Sequence, residues 1–435
     1  MNRKSIILCI TLLTVLAIAL RWIYSKYTYI PLNLDAQSYP KFKDSIREIK
    51  NLISNRDERG SHLVVYQNNE KVIEIKSGFQ DELYLLPWVD STLVQIYSLS
   101  VFSVIFTFAD LFNKYKIDEN SKIFSFLPDY SDKNATISDL LNNLLGFPYL
   151  DQESSLSKYQ ENFDEFMKQF YNAVPNEAPR KDRYFHFHTM SFIADAIVRS
   201  VDSEKKRSLS SYFSQEFIWQ NNLDIISGLP RTSYYRLARN YHCTWTQLIS
   251  SVMKFDLKAH KSQPVACDCD NIFCYLLSQN NSPRCKSMIS LKEFNFLKSF
   301  NPDTLEVPLT SINMFSNAKS LAKLFNMVFS ELKYNFTKNP TVMKWLTDTA
   351  EDRSLEWDYV LNRYVKYNSA GLLIEESPLN TQLIGFYEDI MGHWVFYDKK
   401  MNLTMAYVTN HAHCVSHKND WIKRTIIESI YAALI

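Results

Sequence analysis

The chain has 435 residues, with 48 basic residues against 47 acidic ones, 46% apolar residues and 14% aromatics. That length suits one large or two ordinary domains, the apolar content is enough for a packed core and excludes wholesale disorder, and a net charge of +1 leaves no electrostatic footprint for nucleic acid. Glycine is scarce at 7 residues, where average usage of ~7% would give roughly 30, and the spacing of these seven excludes a G-x-G-x-x-G loop, a Walker A loop and a G-x-S-x-G elbow.

The first element is an unbroken run of apolar residues plus Thr from Ile6 to Leu20, preceded by Arg3 and Lys4 and followed by Arg21. Extended to Ser5–Tyr24, with Arg21 snorkelling and Trp22 and Tyr24 at the interface, it predicts a single-pass signal-anchor over residues 1–24. The alternative is a cleaved signal peptide with Ala17-Ile18-Ala19 as its small-residue site. Either places the chain in the secretory pathway or on its extracellular side, membrane-bound or secreted. Residues 25–44 form a polar stem.

From residue 45 onward the pattern alternates between helix and strand. Ser45–Ser54 has helical periodicity. His62–Tyr66 and Lys71–Ile75, separated by Asn68-Asn69, predict a β-hairpin. Thr92–Lys114 reads as a buried strand end running into a helix. Leu127-Pro128-Asp129 is a breaker, and Thr136-Ile137-Ser138-Asp139 is a capping-box variant opening another helix. A polar segment follows to about residue 180. Residues 189–201 and 207–220 are predicted helical, residues 256–286 irregular, and Ser316–Leu332 an amphipathic helix. Three short strands follow, Thr381–Tyr387, His393–Tyr397 and Leu403–Thr409, and Trp421–Leu434 closes the chain as a helix. Strands at both ends with helices between them predict an α/β sheet assembled from both termini.

Of seven cysteines, Cys9 lies in the apolar run. The other six are Cys243, Cys267, Cys269, Cys274, Cys285 and Cys414, and four of them crowd into residues 267–285. On a secretory chain this predicts a disulfide-stapled insertion at about 256–290; the spacing fits no standard zinc pattern. Asn134, Asn280, Asn335 and Asn402 each begin an N-x-[ST] sequon and predict a glycoprotein.

The order of motifs resembles the serine β-lactamase-like and penicillin-binding family, in particular the animal β-lactamase-like proteins. The family reads "T-x-x-R-I-A-S-x-x-K", a helix ending "G-K-L-D-L-D", "Y-L-P-E-F", and "I-T-I-x-x-L-L-x-H-x-S-G-L". This chain reads Thr92-Leu93-Val94-Gln95-Ile96-Tyr97-Ser98-Leu99-Ser100-Val101, then Lys116-Ile117-Asp118, Phe126-Leu127-Pro128-Asp129-Tyr130, and Ala135-Thr136-Ile137-Ser138-Asp139-Leu140-Leu141, with Leu145-Gly146-Phe147 after it. The resemblance covers residues 45–435. It implies an α/β (α+β) fold: an antiparallel sheet from both termini, flanked by helices, with a helical subdomain.

It also implies a site. In the family a Ser attacks a carbonyl, and a Lys three residues later on the same helix face helps to deprotonate it. Ser98 holds the nucleophile position, but Val101 replaces the Lys; shifting the frame to Ser100 only puts Ser103 there. The family's Y-S-N tyrosine aligns with His186 of His186-Phe187-His188, ahead of a Thr189–Val198 helix pattern. The basic strand motif aligns with Gly385-Phe386-Tyr387-Glu388-Asp389, where two acids stand in place of a cation. Three of the four groups are replaced, and losing one member of such a set typically costs ~10⁴–10⁶ in rate. The expectation is therefore a pseudoenzyme that acts by binding or assembly, with Ser98, Val101 and His186 at the former catalytic positions and His188, Tyr387, Glu388 and Asp389 around the pocket. The alternative is a weak serine hydrolase or peptidase pairing Ser98 with His186, oriented by Asp195 or Glu388. A third reading is a metal-binding protein, since His186/His188 and His411/His413, with His417 nearby, are H-x-H pairs. No cofactor is expected. The expected partners are a membrane through the N-terminal segment and an unspecified small-molecule or peptide ligand, with no nucleic acid. Some relatives are mitochondrial, which gives that compartment as a further alternative.

Overall fold

The structure is a computed structural model that describes residues 10–20, 31–150, 156–171, 173–241, 283–289, 302–349, 353–388, 391–413 and 416–434. The chain divides into residues 1–33 and Leu34–Ile435. In the first unit, residues 10–20 form a helix with exposed apolar side chains, including Leu12, Leu13 and Leu16. Among the described residues no helix is long and apolar enough to cross a membrane. The predicted anchor's flanks, residues 1–9 and 21–30, lie outside the described residues, as do Cys243, Cys267, Cys269, Cys274 and Cys414.

The second unit opens with β1 (Leu34–Ser38), helix α1 (Lys43–Ser54), β2 (Gly60–Gln67), β3 (Glu70–Asp81), β4 (Leu86–Pro87) and β5 (Val94–Gln95). Helix α2 (Val101–Lys114), α3 (Ile137–Leu141) and α4 (Thr189–Val201) follow. Next come β6 (Ile225–Ser227), β7 (Met314–Ser316), helix α5 (Ala318–Phe329), β8 (Glu356–Asp358), β9 (Arg363–Val365) and β10 (Leu373–Glu376). The chain ends with β11 (Gln382–Tyr387), β12 (Trp394–Asp398), β13 (Leu403–Thr409) and helix α6 (Ser416–Ala432). The main sheet runs β1-β3-β2-β13-β12-β11-β10, antiparallel throughout, with β4 added to β3. Its centre joins the two ends of the chain: Leu403 pairs with Gln67 and Thr409 with Ser61. The sheet from both termini is as the sequence predicts.

Local chemistry explains the elements that were legible. Asn68 (φ 52°) and Asn69 (φ 69°) both take the left-handed conformation that a two-residue hairpin turn requires, and Asn tolerates it best after glycine. The capping box at α3 is formed: Asp139 N donates to Thr136 Oγ1 at 3.1 Å and Thr136 N donates to Asp139 Oδ2 at 2.9 Å. Helix α5 starts two residues later than predicted, because Met314–Ser316 first pairs with β5 and β6 in a three-stranded sheet. The polar segment before residue 180 contains two helices, Leu156–Glu161 and Phe163–Tyr171, that bury Phe166, Met167 and Phe170.

The sheet carries α1 and α6 on one face and α5 on the other. Behind α5 lies an aromatic core. Phe102 and Phe106 of α2 meet Phe325 of α5 at ring-centroid distances of 5.7 and 5.3 Å, and Phe106 also meets Phe329 at 5.9 Å. These separations suit edge-on and tilted aromatic pairs, which add to the burial of their area.

The loop before α4 is strapped to the small β8–β9 sheet by one buried carboxylate. Asp358 Oδ1 accepts from Phe185 N at 3.1 Å and from Val360 N and Leu361 N at 2.9 Å each, and the residue has no exposed surface. Burial pushes the Asp358 carboxyl up to about 6 from an ordinary 3.8, although the three backbone donors and Arg183 oppose it.

Two predictions follow from this packing. Phe106→Ala should lower unfolding free energy by about 3–5 kcal/mol in urea titration; a loss below about 1 kcal/mol would contradict the central role of that ring. For Asp358, the folded carboxyl holds its proton more tightly than the unfolded one. Between about pH 4 and 6 the folded state therefore binds more protons, and this group's contribution to stability falls as pH rises through that window. Asp358→Asn keeps an oxygen for the three N–H donors and removes the charge. It should abolish that fall and be more stable than the parent above pH 6, by on the order of 2–3 kcal/mol. Denaturation profiles of the two proteins that run parallel across the window would refute this.

Candidate active site around Ser98

Ser98 is placed by a strand-to-helix turn. β5 pairs with β7 (Val94 opposite Ser316, Gln95 opposite Phe315), and Gln95 Nε2 donates to Asn313 Oδ1 at 2.8 Å. The backbone then turns at Tyr97, a non-glycine residue with φ 43°, and runs through a 3₁₀ turn, Tyr97–Ser100, into α2. A bulky residue in this region costs of order 1–3 kcal/mol and persists only where its surroundings fix it. Here Asn240 Nδ2 donates to the Tyr97 hydroxyl at 3.0 Å, and the Tyr97 ring stacks on His393 at 6.5 Å. His393 is fully buried. Its Nδ1 accepts from Thr409 N at 3.3 Å, which leaves Nε2–H to donate to Gln95 O at 3.1 Å. Burial lowers its pKa to about 3, so it is a neutral support for the turn.

Ser98 is 8% exposed and lines a cavity of about 20 Å³, room for about one water molecule. Val101, one helical turn on, lines the same cavity. The other walls include Asn143, Phe185, Arg363, Tyr367 and Tyr387. The structure thus brings together three of the residues singled out in the sequence, Ser98, Val101 and Tyr387.

The remaining candidates lie elsewhere. His186 is fully buried, does not line the cavity, and its Nε2 accepts from Phe147 N at 3.1 Å. Its backbone N donates to Asn143 Oδ1 at 3.0 Å, and burial lowers its pKa to about 3. Asp195 does not orient it: that carboxylate accepts from Tyr159 Oη and Arg199 Nε, each at 3.0 Å. The residue of the His186 loop that reaches the Ser98 cavity is Phe185. His188 is buried, with its pKa lowered to about 3 by burial. Glu388 holds the β11–β12 turn, where Met391 N donates to its Oε2 at 2.9 Å and Gly392 N to its backbone O at 3.0 Å. Asp389 lies outside the described residues.

Arg363 carries no signal in the sequence that marks it as a site residue. Its guanidinium lies 4.9 Å from the Tyr387 ring centroid and donates to Tyr387 O at 3.2 Å, while Lys423 of α6 stands 4.0 Å from the same ring and pairs with Glu375 at 2.7 Å. Tyr387 is thus attended by two cations. Arg363 and Leu373 also line a wider charged groove of about 870 Å³ beside the cavity. Arg363 comes from β9, a three-residue strand with no alternation to reveal it, so only the fold brings this cation to Ser98.

A family model described as Beta-lactamase matches residues 47–427. No curated protein matches the chain. Among solved structures, a novel penicillin-binding protein homologue from Caulobacter crescentus is similar at 18% identity and a TM-score of 0.73, covering 92% of this chain and 100% of that one. A family VIII carboxylesterase is similar at 16% identity and a TM-score of 0.69, covering 92% and 100%. The D-amino acid amidase from Ochrobactrum anthropi SV3, complexed with D-phenylalanine, is similar at 15% identity and a TM-score of 0.62, covering 90% and 99%. These likenesses concern the fold. With an antiparallel sheet closed by both termini, a serine at the head of the central helix and a family match spanning most of its length, the chain belongs to the beta-lactamase family.

Proposed function

We propose that this chain is a membrane-anchored, lumenal or extracellular beta-lactamase-related protein whose serine-hydrolase machinery is impaired or lost, and which acts by binding or assembly. The observation that carries this reading is Ser98 facing Val101 in a cavity of about 20 Å³. A nucleophilic serine needs a neighbouring base to take its proton, and valine offers none. A volume fit for one water does not admit an acyl substrate unless the walls part. The pairing of Ser98 with His186 gains no support, because the acceptor nitrogen of His186 is engaged by Phe147 N.

One observation favours a second reading. Tyr387 lines the same cavity as Ser98, with Arg363 and Lys423 against its ring. A residual hydrolase would then draw on Ser98 and Tyr387.

Two tests bear on this function. A fluorophosphonate probe should label the parent protein no more than Ser98→Ala; labelling that depends on Ser98 and falls in Tyr387→Phe would replace the pseudoenzyme reading with the second one. For the compartment, Asn134 and Asn335 are both exposed. Protein made in eukaryotic cells should lose apparent mass on treatment with peptide N-glycosidase, with a smaller loss in Asn134→Gln, and should stay with membranes after alkaline extraction. Protease protection inside mitochondria would overturn the secretory placement.

A further inference from the structure

Outside the Ser98 cavity, three side chains, two buried and one nearly so, converge at one end of the central strand pair. Glu58 precedes β2, and His411 and His413 follow β13. Each offers one ligand atom, and the three atoms lie within 4.8 Å of one another; this is the one such cluster among the described residues. Glu58 and His411 are each 2% exposed, and the His413 side chain is 9% exposed. We propose that Glu58, His411 and His413 form a zinc site that ties the N-terminal hairpin to the C-terminal strands.

Four features point to an ion. First, Glu58 Oε1 and His413 Nε2 stand 3.7 Å apart, too far for a hydrogen bond. They are close to the separation of about 3.4 Å between donors of a tetrahedral zinc ion with bonds of about 2.0–2.1 Å. Second, His413 Nε2 is buried and has no hydrogen-bond partner among the described residues, an arrangement that folded proteins seldom leave uncompensated. Third, His411 Nδ1 lies 2.9 Å from Asp57 O. A carbonyl can only accept, so Nδ1 carries the proton and the lone pair is on Nε2. Metal-binding histidines are held in this way, by a backbone carbonyl on the other ring nitrogen. Fourth, the Thr409 hydroxyl donates to Glu58 Oε2, which orients the carboxylate, and no Lys or Arg lies within ion-pair distance of it among the described residues. A buried carboxylate without a cation is costly.

The sequence supplies the geometry cheaply. His411 and His413 are two apart in an extended segment, where side chains two apart share a side; Tyr241 N donates to Asn410 O and Ala412 N to Tyr241 O, which holds that segment straight. The two imidazoles lie 4.4 Å apart between centroids. Two imidazoles and a carboxylate are a ligand set that zinc accepts, with water completing the tetrahedron. The resulting chelate would join Glu58, ahead of β2, to His411 and His413, beyond β13.

The proposal does not depend on the state of Ser98. Full-length protein loaded with zinc chloride and dialysed should retain about one zinc per chain by elemental analysis, and Ser98→Ala should retain the same. Glu58→Gln, His411→Gln and His413→Gln should each weaken retention by at least about tenfold, the scale already seen when an outer-shell partner is removed. Zinc should raise the melting temperature of the parent but not of Glu58→Gln, a readout that holds even if a histidine variant folds poorly. Cobalt in place of zinc should give ligand-field bands without a thiolate charge-transfer band. Failure to retain zinc, equal retention by the three variants, or a thiolate band would each overturn the proposal, the last by assigning the metal to the cysteines.

Discussion

The antiparallel pairing of β2 with β13 is the constraint on which the rest of the molecule depends. It places the N-terminal hairpin and the last three strands in one sheet, with Thr409 opposite Ser61 and Leu403 opposite Gln67. Everything near Ser98 hangs from its upper end. Thr409 N holds His393, His393 holds Gln95 O, and Gln95 sets the strand from which the nucleophile turn departs. At the lower end, Asn68 N donates to Asn402 O at 3.0 Å, so the two hairpin turns brace one another. Loss of register here would misplace the floor of the cavity, because a one-residue slip moves a strand's side chains to the opposite face.

The Ser98 cavity combines a strained backbone turn with a lining of mixed character. The turn keeps an unfavourable backbone conformation at Tyr97, held by Asn240 and His393. The lining, by contrast, sets apolar Val101 and Phe185 beside Arg363 and Tyr387. Ordinary packing does not call for a strained turn at the head of a buried helix, so the turn is best understood as a fixed part of the fold. The lining is what decides whether any chemistry or ligand belongs there.

The legible parts of the sequence were those where local and global signals agreed. The Asn68-Asn69 hairpin, the Thr136 cap, the α4 helix and the three closing strands all announce themselves through turn chemistry or periodicity. The order of motifs placed Ser98 and Val101 in one cavity. What escaped was short or cross-chain. β7, β8 and β9 have three residues each, too few for alternation to show, and they contribute the partner of β5 and the cation Arg363. His186 and His188 drew attention as ionisable groups next to a helix, yet burial holds them neutral and His186 turns its acceptor nitrogen to a backbone N–H. Pairwise spacing in a sequence cannot reveal which residue of an alternating segment reaches the cavity, and that residue is Phe185.

The scarcity of glycine has a counterpart in the backbone. Thirteen described non-glycine residues adopt positive φ, and seven of them are asparagine. Glycine is reserved for places where a side chain cannot fit: a Cβ on Gly78 would stand 2.0 Å from Arg59 O. Elsewhere asparagine is the commonest residue in the left-handed conformation. Glycine is the residue whose freedom is most reduced by folding, and replacing it by a residue that can adopt the same native conformation stabilises a protein by ≈0.4–1 kcal/mol through the denatured chain. Asparagine at these turns therefore narrows the denatured ensemble. Part of the margin that keeps this long-range fold together thus lies in the restricted wandering of the unfolded polypeptide, in addition to the contacts of the folded one.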